Sequence, residues 1–183
     1  FLPDYVYAGA ANAIIHSNGE TENLVKETTV LFENTPRLTG NNFFLSPLFI
    51  LGILGLLIIL ITYQDNKRNI RSRYLDTAIF VFTGLVGLLL LFLWFGTNHT
   101  ATANNYNLLW AFPISIFIFY AISKKQVSSK LKRYTLLLIL LLALLTIHWI
   151  TGVQVFAIAL LPLLIALAVR YVYLMYFIGK QEE

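Results

Sequence analysis

The sequence predicts an all-α integral membrane protein, a bundle of five transmembrane helices with its N-terminus outside the cytoplasm and its C-terminus inside. Composition is the first reason. Of 183 residues 58% are hydrophobic and only 12% charged, with a mean hydropathy of +0.72, against about a quarter charged in soluble domains. The second reason is the grouping of apolar residues into three charge-free runs, 38–64, 77–123 and 134–169, which are 27, 47 and 36 residues long. A helix needs about 20 apolar residues to cross ~30 Å of hydrocarbon, so the first run holds one span and each of the others two. The third is the placing of bases. Lys67, Arg68, Arg71 and Arg73 lie in one short loop and Lys124, Lys125, Lys130, Lys132 and Arg133 in another. The short loops between them, 96–106 and 150–153, carry none, and the basic side is the cytoplasmic one.

Taken in order, residues 1–42 are the one sizeable polar region, with five acids against two bases. They read as the tail of a larger soluble domain and a linker. Ser17-Asn18-Gly19 is a turn signal, and LVKETTVLF over 24–32 is rich in strand formers. Because the chain begins at Phe1 without an initiator methionine, it is expected to be a piece of something longer. Residues 43–183 form the membrane domain, with spans expected at 43–63, 76–95, 107–123, 134–149 and 154–177. Ser46-Pro47 starts the first, where a missing backbone donor costs least. Gln64-Asp65-Asn66-Lys67-Arg68 is its polar stop. The last two spans share so short a link that they must be antiparallel neighbours. A β-barrel is excluded, because LLLILLLALL over 136–145 shows no alternation.

With no cysteine in the chain, thiolate nucleophiles, disulfides and Cys-ligated metals are excluded. Polar residues at the rim of a membrane domain are where function is sought. They gather at one end: Asn98, His99, Thr100, Thr102, Asn104, Asn105, Asn107 and Trp110 in and after the bend, and His148, Trp149, Thr151 and Gln154 at the link. His99 and His148 are the candidate catalytic residues, and the two could meet in a compact bundle. Asn98, Thr102, Asn104, Asn107, Trp110 and Gln154 are candidate substrate- or lipid-binding groups, and a single pocket joining His99 and Trp110 to His148 or Gln154 is expected. For any one of these residues the competing reading is simple interfacial comfort in headgroups and water. No metal site is expected, for want of carboxylates at this end, and no cofactor: b-type haem histidines usually sit within a span.

Elsewhere, Arg170 reads as a side chain that snorkels to the headgroups. Asp76 reads as a partner for the helix N-terminus and a loop arginine such as Arg73. Gly84 with Gly87, and Gly52 with Gly55, read as places where helices approach closely. The basic isoelectric point is explained by loops facing anionic lipid, and no nucleic acid is expected.

Four segments are more specific: FLPDY (1–5), NLVKETTVLFE (23–33), DTAIFVFTGLVGLLLLFLWFGTNHTATANNYNLLWAFP (76–113) and QVFAIALLPLLIALAVR (154–170). They resemble the Lnb family of lipoprotein N-acyltransferase-like envelope proteins of Gram-negative bacteria. The pattern T-x-H-x-x-T-x-x-N-x-N-L-L-W over 97–110 is the most specific part, with Asn98 where the family pattern has an acidic residue. The resemblance implies a periplasmic domain followed by a five-span domain in the inner membrane. It also implies acyl transfer to the amino group of a diacylated lipoprotein, with membrane lipids, a phospholipid acyl donor and that lipoprotein as partners. The main catalytic residues would then lie in a domain outside this chain. The alternative is a non-catalytic anchor or assembly subunit in complex with other envelope proteins. A small transporter is disfavoured, since no charge is expected in mid-span and no inverted repeat is visible.

Overall fold

The computed structural model describes residues 2–17, 19–29, 43–97 and 104–181. The chain divides into two units, Phe1–Gly40 and Asn41–Glu183. In the first, helix α1 (Leu2–Ala11) precedes a hairpin of β1 (Ile14–Ser17) and β2 (Glu20–Asn23). Ser17 pairs with Glu20, so the connection is two residues, and Gly19 takes the positive φ of 86° that such a turn requires. The strand expected over 24–32 does not form over the described part, 24–29. The Leu24 amide closes the hairpin on the Ala13 carbonyl at 2.8 Å, and the sheet has only the two strands β1 and β2. Without a third strand, local propensity does not make a ladder.

In the second unit, four helices are long and apolar enough to cross a membrane among the described residues: Pro47–Arg68, Arg73–Phe95, Ser129–Ile150 and Ile158–Lys180. These contain α2 (Pro47–Arg68), α3 (Arg73–Phe95), α5 (Ser129–Ile150) and α6 (Leu161–Lys180). Ser46 caps α2 by accepting from the Phe49 amide at 3.2 Å, with Pro47 opening the first turn. Asn69, at φ 53°, ends it in the left-handed cap conformation that asparagine tolerates. Four of the spans run past their expected ends, α2 through the supposed polar stop, α3 from Arg73, α5 from Ser129 and α6 to Lys180, although α6 begins at Leu161 after a 3-10 turn at Ile158–Leu160 and not at the expected 154. The charges there do not all face water, and helix can continue through those that find partners.

The segment 107–123, expected as one continuous span, is broken. A 3-10 turn at Tyr106–Leu109 leads through an irregular stretch to α4 (Ser115–Ser123), whose nine residues span only ~13 Å. Pro113 is the physical reason, because it has no amide to donate and disfavours helix in the residue before it. The stretch satisfies its backbone internally, Ala111 donating to Asn107 at 3.0 Å and Ser115 to Phe112 at 3.0 Å. Ala111 is fully buried, and non-helical backbone at membrane depth is tolerated only where protein encloses it.

Two glycines make that enclosure possible. A β-carbon on Gly87 would lie 2.1 Å from the Ala111 carbonyl oxygen, and one on Gly84 2.4 Å from the Ile116 nitrogen. So α3 holds the broken segment backbone to backbone. Gly55 plays the same part between α2 and Pro162, at 2.7 Å. Gly52, expected to do likewise, faces open space and has no packing role.

Helix α6 is the hub, packed against α2 on one side and α5 on the other, while α3 pairs with α4. Phe80 of α3 meets Tyr171 edge-on at 6.1 Å and Tyr134 at 5.9 Å, tying the two groups together. Outward, the long helices present a continuous apolar surface: Leu56, Leu89, Phe92, Leu140 and Val172 are all more than half exposed. A soluble protein could not sustain that surface, and hydrocarbon is its natural solvent. Inside, the hydroxyls of Thr62, Thr83 and Thr135 donate to carbonyls one turn back, so these three polar groups are satisfied within their own helices.

Candidate functional site

At the end carrying the bend and the α5–α6 link, the 3-10 turn organises the polar groups. Asn105 caps it, accepting from the Asn107 amide at 3.1 Å and from the Asn107 side chain at 2.8 Å. Asn107 in turn accepts from the indole Nε1 of Trp110 at 2.9 Å, and Trp110 is buried. From the link, Gln154 Oε1 accepts from the Tyr106 amide at 2.8 Å, an amide left free by the start of the turn. The His148 ring packs on Tyr106 at 4.9 Å.

The His148 Nδ1 lies 2.8 Å from the Leu144 carbonyl oxygen. A carbonyl can only accept, so Nδ1 carries the hydrogen and the neutral ring keeps its lone pair on Nε2. A partly exposed imidazole in that tautomer is equipped to take a proton. Of the residues singled out in the sequence, Asn107, Trp110, Gln154 and His148 thus stand around Tyr106. Asn104 is exposed beside them at φ 55°. Asn98, His99 and Thr102 lie outside the described residues, so the expected meeting of His99 with Trp110 does too.

The opposite end holds a second constellation that sequence reasoning misassigned. Arg170 is fully buried and does not snorkel. Its Nε donates to Asp76 Oδ1 at 2.7 Å and its Nη1 to Asp65 Oδ2 at 2.8 Å, with the Thr62 hydroxyl at 3.3 Å and the Ser72 carbonyl at 3.4 Å from Nη1 and Nη2. Asp76 pairs with Arg170 and, at 3.5 Å, with Arg71. Arg73, its expected partner, turns instead to the Tyr74 hydroxyl at 2.9 Å. Asp65 also caps the loop, accepting from Ser72 N and Ser72 Oγ at 2.8 Å each. Arg71 reaches on to the carbonyls of Ile122, in the last turn of α4, and Lys124, just past it, and the Tyr173 hydroxyl donates to the Ile70 carbonyl. Two arginines and two aspartates form a neutral knot that joins α2, α3, α6 and the end of α4. Charges removed from both water and lipid are tolerable in that form.

A family model for the Lnb transmembrane domain matches residues 39–182. The chain belongs to the Lnb transmembrane-domain family. No curated protein and no solved structure gives a significant match. The Lnb match covers the whole second unit apart from its last residue, so both constellations lie within the family's domain. Its name specifies five spans. Among the described residues four helices are long and apolar enough to cross, and the segment 106–123 is broken. Among the described residues no group of histidines or carboxylates is arranged to hold a metal ion.

The signal for the Arg170 knot was present in the sequence. Asp65 and Asp76 stand directly at the ends of the charge-free runs 38–64 and 77–123, and Arg170 directly after the run 134–169. Two intramembrane acids facing one intramembrane base form a buried network more readily than three separate compromises with the headgroups.

Proposed function

We propose that this Lnb domain is the membrane part of an envelope protein of the lipoprotein N-acyltransferase type, acting at the periplasmic face of the inner membrane. In this reading the bend end faces the periplasm, the basic loops face the cytoplasm, and the broken segment 106–123 supplies the fifth crossing, shielded by α3. The observation that carries the proposal is the polar group around Tyr106, set at the rim of a domain of this family. There, His148, with a lone pair on Nε2, packs on Tyr106, whose neighbours in the chain are Asn105 and Asn107. Transfer of an acyl group to an amine requires a base for the amine proton and donors for the developing oxyanion. This group offers both kinds of atom. The amine is that of a diacylated lipoprotein, the donor is a phospholipid ester, and the lysophospholipid leaves.

The competing reading, an anchor or assembly subunit, is favoured by one observation: Asn105, Asn107, Trp110 and Gln154 largely satisfy each other, as structural groups do. Acyl-form analysis of lipoproteins separates the two. Cells whose only copy of the full-length protein carries His148→Ala or His99→Ala should lose N-acylation by ~10²-fold or more at normal membrane abundance. Full N-acylation by both variants would leave the anchor reading standing.

A further inference from the structure

Beside the Arg170 knot, on the surface of the same end, lies a cavity of 460 Å³ walled by Asn69, Ser72, Arg73, Tyr74, Lys125 and Phe177, among others. No acidic residue lines it. The nearest carboxylates, Asp65 and Asp76, are committed to Arg170, Arg71 and Ser72. Among the described residues the Arg73 guanidinium meets the tyrosine next to it, through the hydroxyl at 2.9 Å and the ring face at 4.8 Å, and no carboxylate. Lys125 is exposed and has no hydrogen-bond or ion-pair partner among the described residues. The cavity therefore presents two uncompensated cations on a rigid frame, since the knot immobilises the loop from Asn69 to Arg73.

We propose that this cavity binds the phosphate headgroup of an anionic phospholipid, held between Arg73 and Lys125. Phosphate is the chemistry because a guanidinium and an ammonium that line one cavity without a carboxylate lack a counter-anion there. A lipid is the source because the rim is apolar and interfacial. Tyr74 is 76% exposed and Ile70 47%; aromatic rings of this kind sit at headgroup level. From Tyr74 the surface runs directly onto the lipid-facing side of α3, where Phe82 and Leu85 are each 52% exposed and can lie along an acyl chain. Basic pockets between spanning helices suit such headgroups. This site is independent of the acyl-transfer reading, which concerns the other end of the bundle.

Native mass spectrometry of the purified protein in detergent, with added phosphatidylglycerol, phosphatidylcholine or inorganic phosphate, tests the proposal. The wild type should retain phosphatidylglycerol in preference to phosphatidylcholine. Arg73→Gln with Lys125→Gln should weaken that retention roughly tenfold or more. The single change Lys125→Glu, at a residue with no partner to lose, should also weaken it, which keeps the test decisive if the double variant folds poorly. Lys67→Gln with Arg68→Gln, which removes two exposed charges from the same end but outside the cavity, should retain the lipid. Equal loss in that control, equal retention of phosphatidylcholine, or displacement of the lipid by inorganic phosphate would each overturn the proposal.

Discussion

Replacing Arg170 by methionine keeps most of the side-chain volume and removes the charge that Asp65 and Asp76 share. Two charge-assisted hydrogen bonds, at 2.7 and 2.8 Å, are lost, at ~1.5–3 kcal/mol each. The carboxylates left behind are unequally placed. Asp65 keeps both bonds from Ser72, whereas Asp76 keeps only Arg71 at 3.5 Å. The expected destabilisation is therefore ~3–5 kcal/mol, the range for breaking a buried pair from one side. Unfolding in mixed micelles under rising SDS, followed by tryptophan fluorescence, measures it. Removing the stranded partner as well, in Arg170→Met with Asp76→Leu, should recover part of the loss, with a coupling of ~0.5–3 kcal/mol. A single variant within ~1 kcal/mol of the wild type, as a lipid-facing snorkelling arginine would give, refutes the reasoning. So do two single losses that merely add in the double variant.

Two further outcomes follow from the fold. Gly87→Ala should cost ~1–3 kcal/mol by the same assay, because its β-carbon would overlap the Ala111 carbonyl, while Gly52→Ala, facing open space, should be neutral or slightly stabilising. For the proposed orientation, an impermeant thiol reagent applied to intact spheroplasts should label Val155→Cys, which is 86% exposed at the link, and leave Gln126→Cys in the basic loop unlabelled; the reverse pattern would invert the topology.

Much of this architecture was legible because its causes are local. The four long helices follow from apolar run length, and the close approaches at Gly55, Gly84 and Gly87 follow from small residues spaced along a span. The polar residues that meet around Tyr106 are ones that hydrocarbon would reject, so their collection at one end could be read from the residue types. The break at 110–114 was not legible from run length, because apolar content does not distinguish a continuous helix from two short pieces. Pro113 alone was the clue, and many membrane helices tolerate a proline. The knot was hidden for a different reason. Asp65 stood within a run of polar residues that read as a stop, and Arg170 lay close enough to a helix end to reach the headgroups. Only the packing of α6 against α2 brings the two together, and that is tertiary information.

The knot also imposes an order on assembly. Asp65 and Asp76 precede Arg170 by 105 and 94 residues in the chain. At ~5–20 residues per second of synthesis, the two acids wait ~5–20 s for their counter-ion. Arg71 is made between them and can answer only part of the negative charge. During that interval α2 and α3 are hydrophobic enough to enter the bilayer yet have no settled arrangement at their shared end. The arrival of α6, with Pro162 meeting Gly55 and Arg170 drawing the two acids together, turns a loose set of inserted helices into one domain. A nascent chain that stops before residue 170 would carry both acids without Arg170.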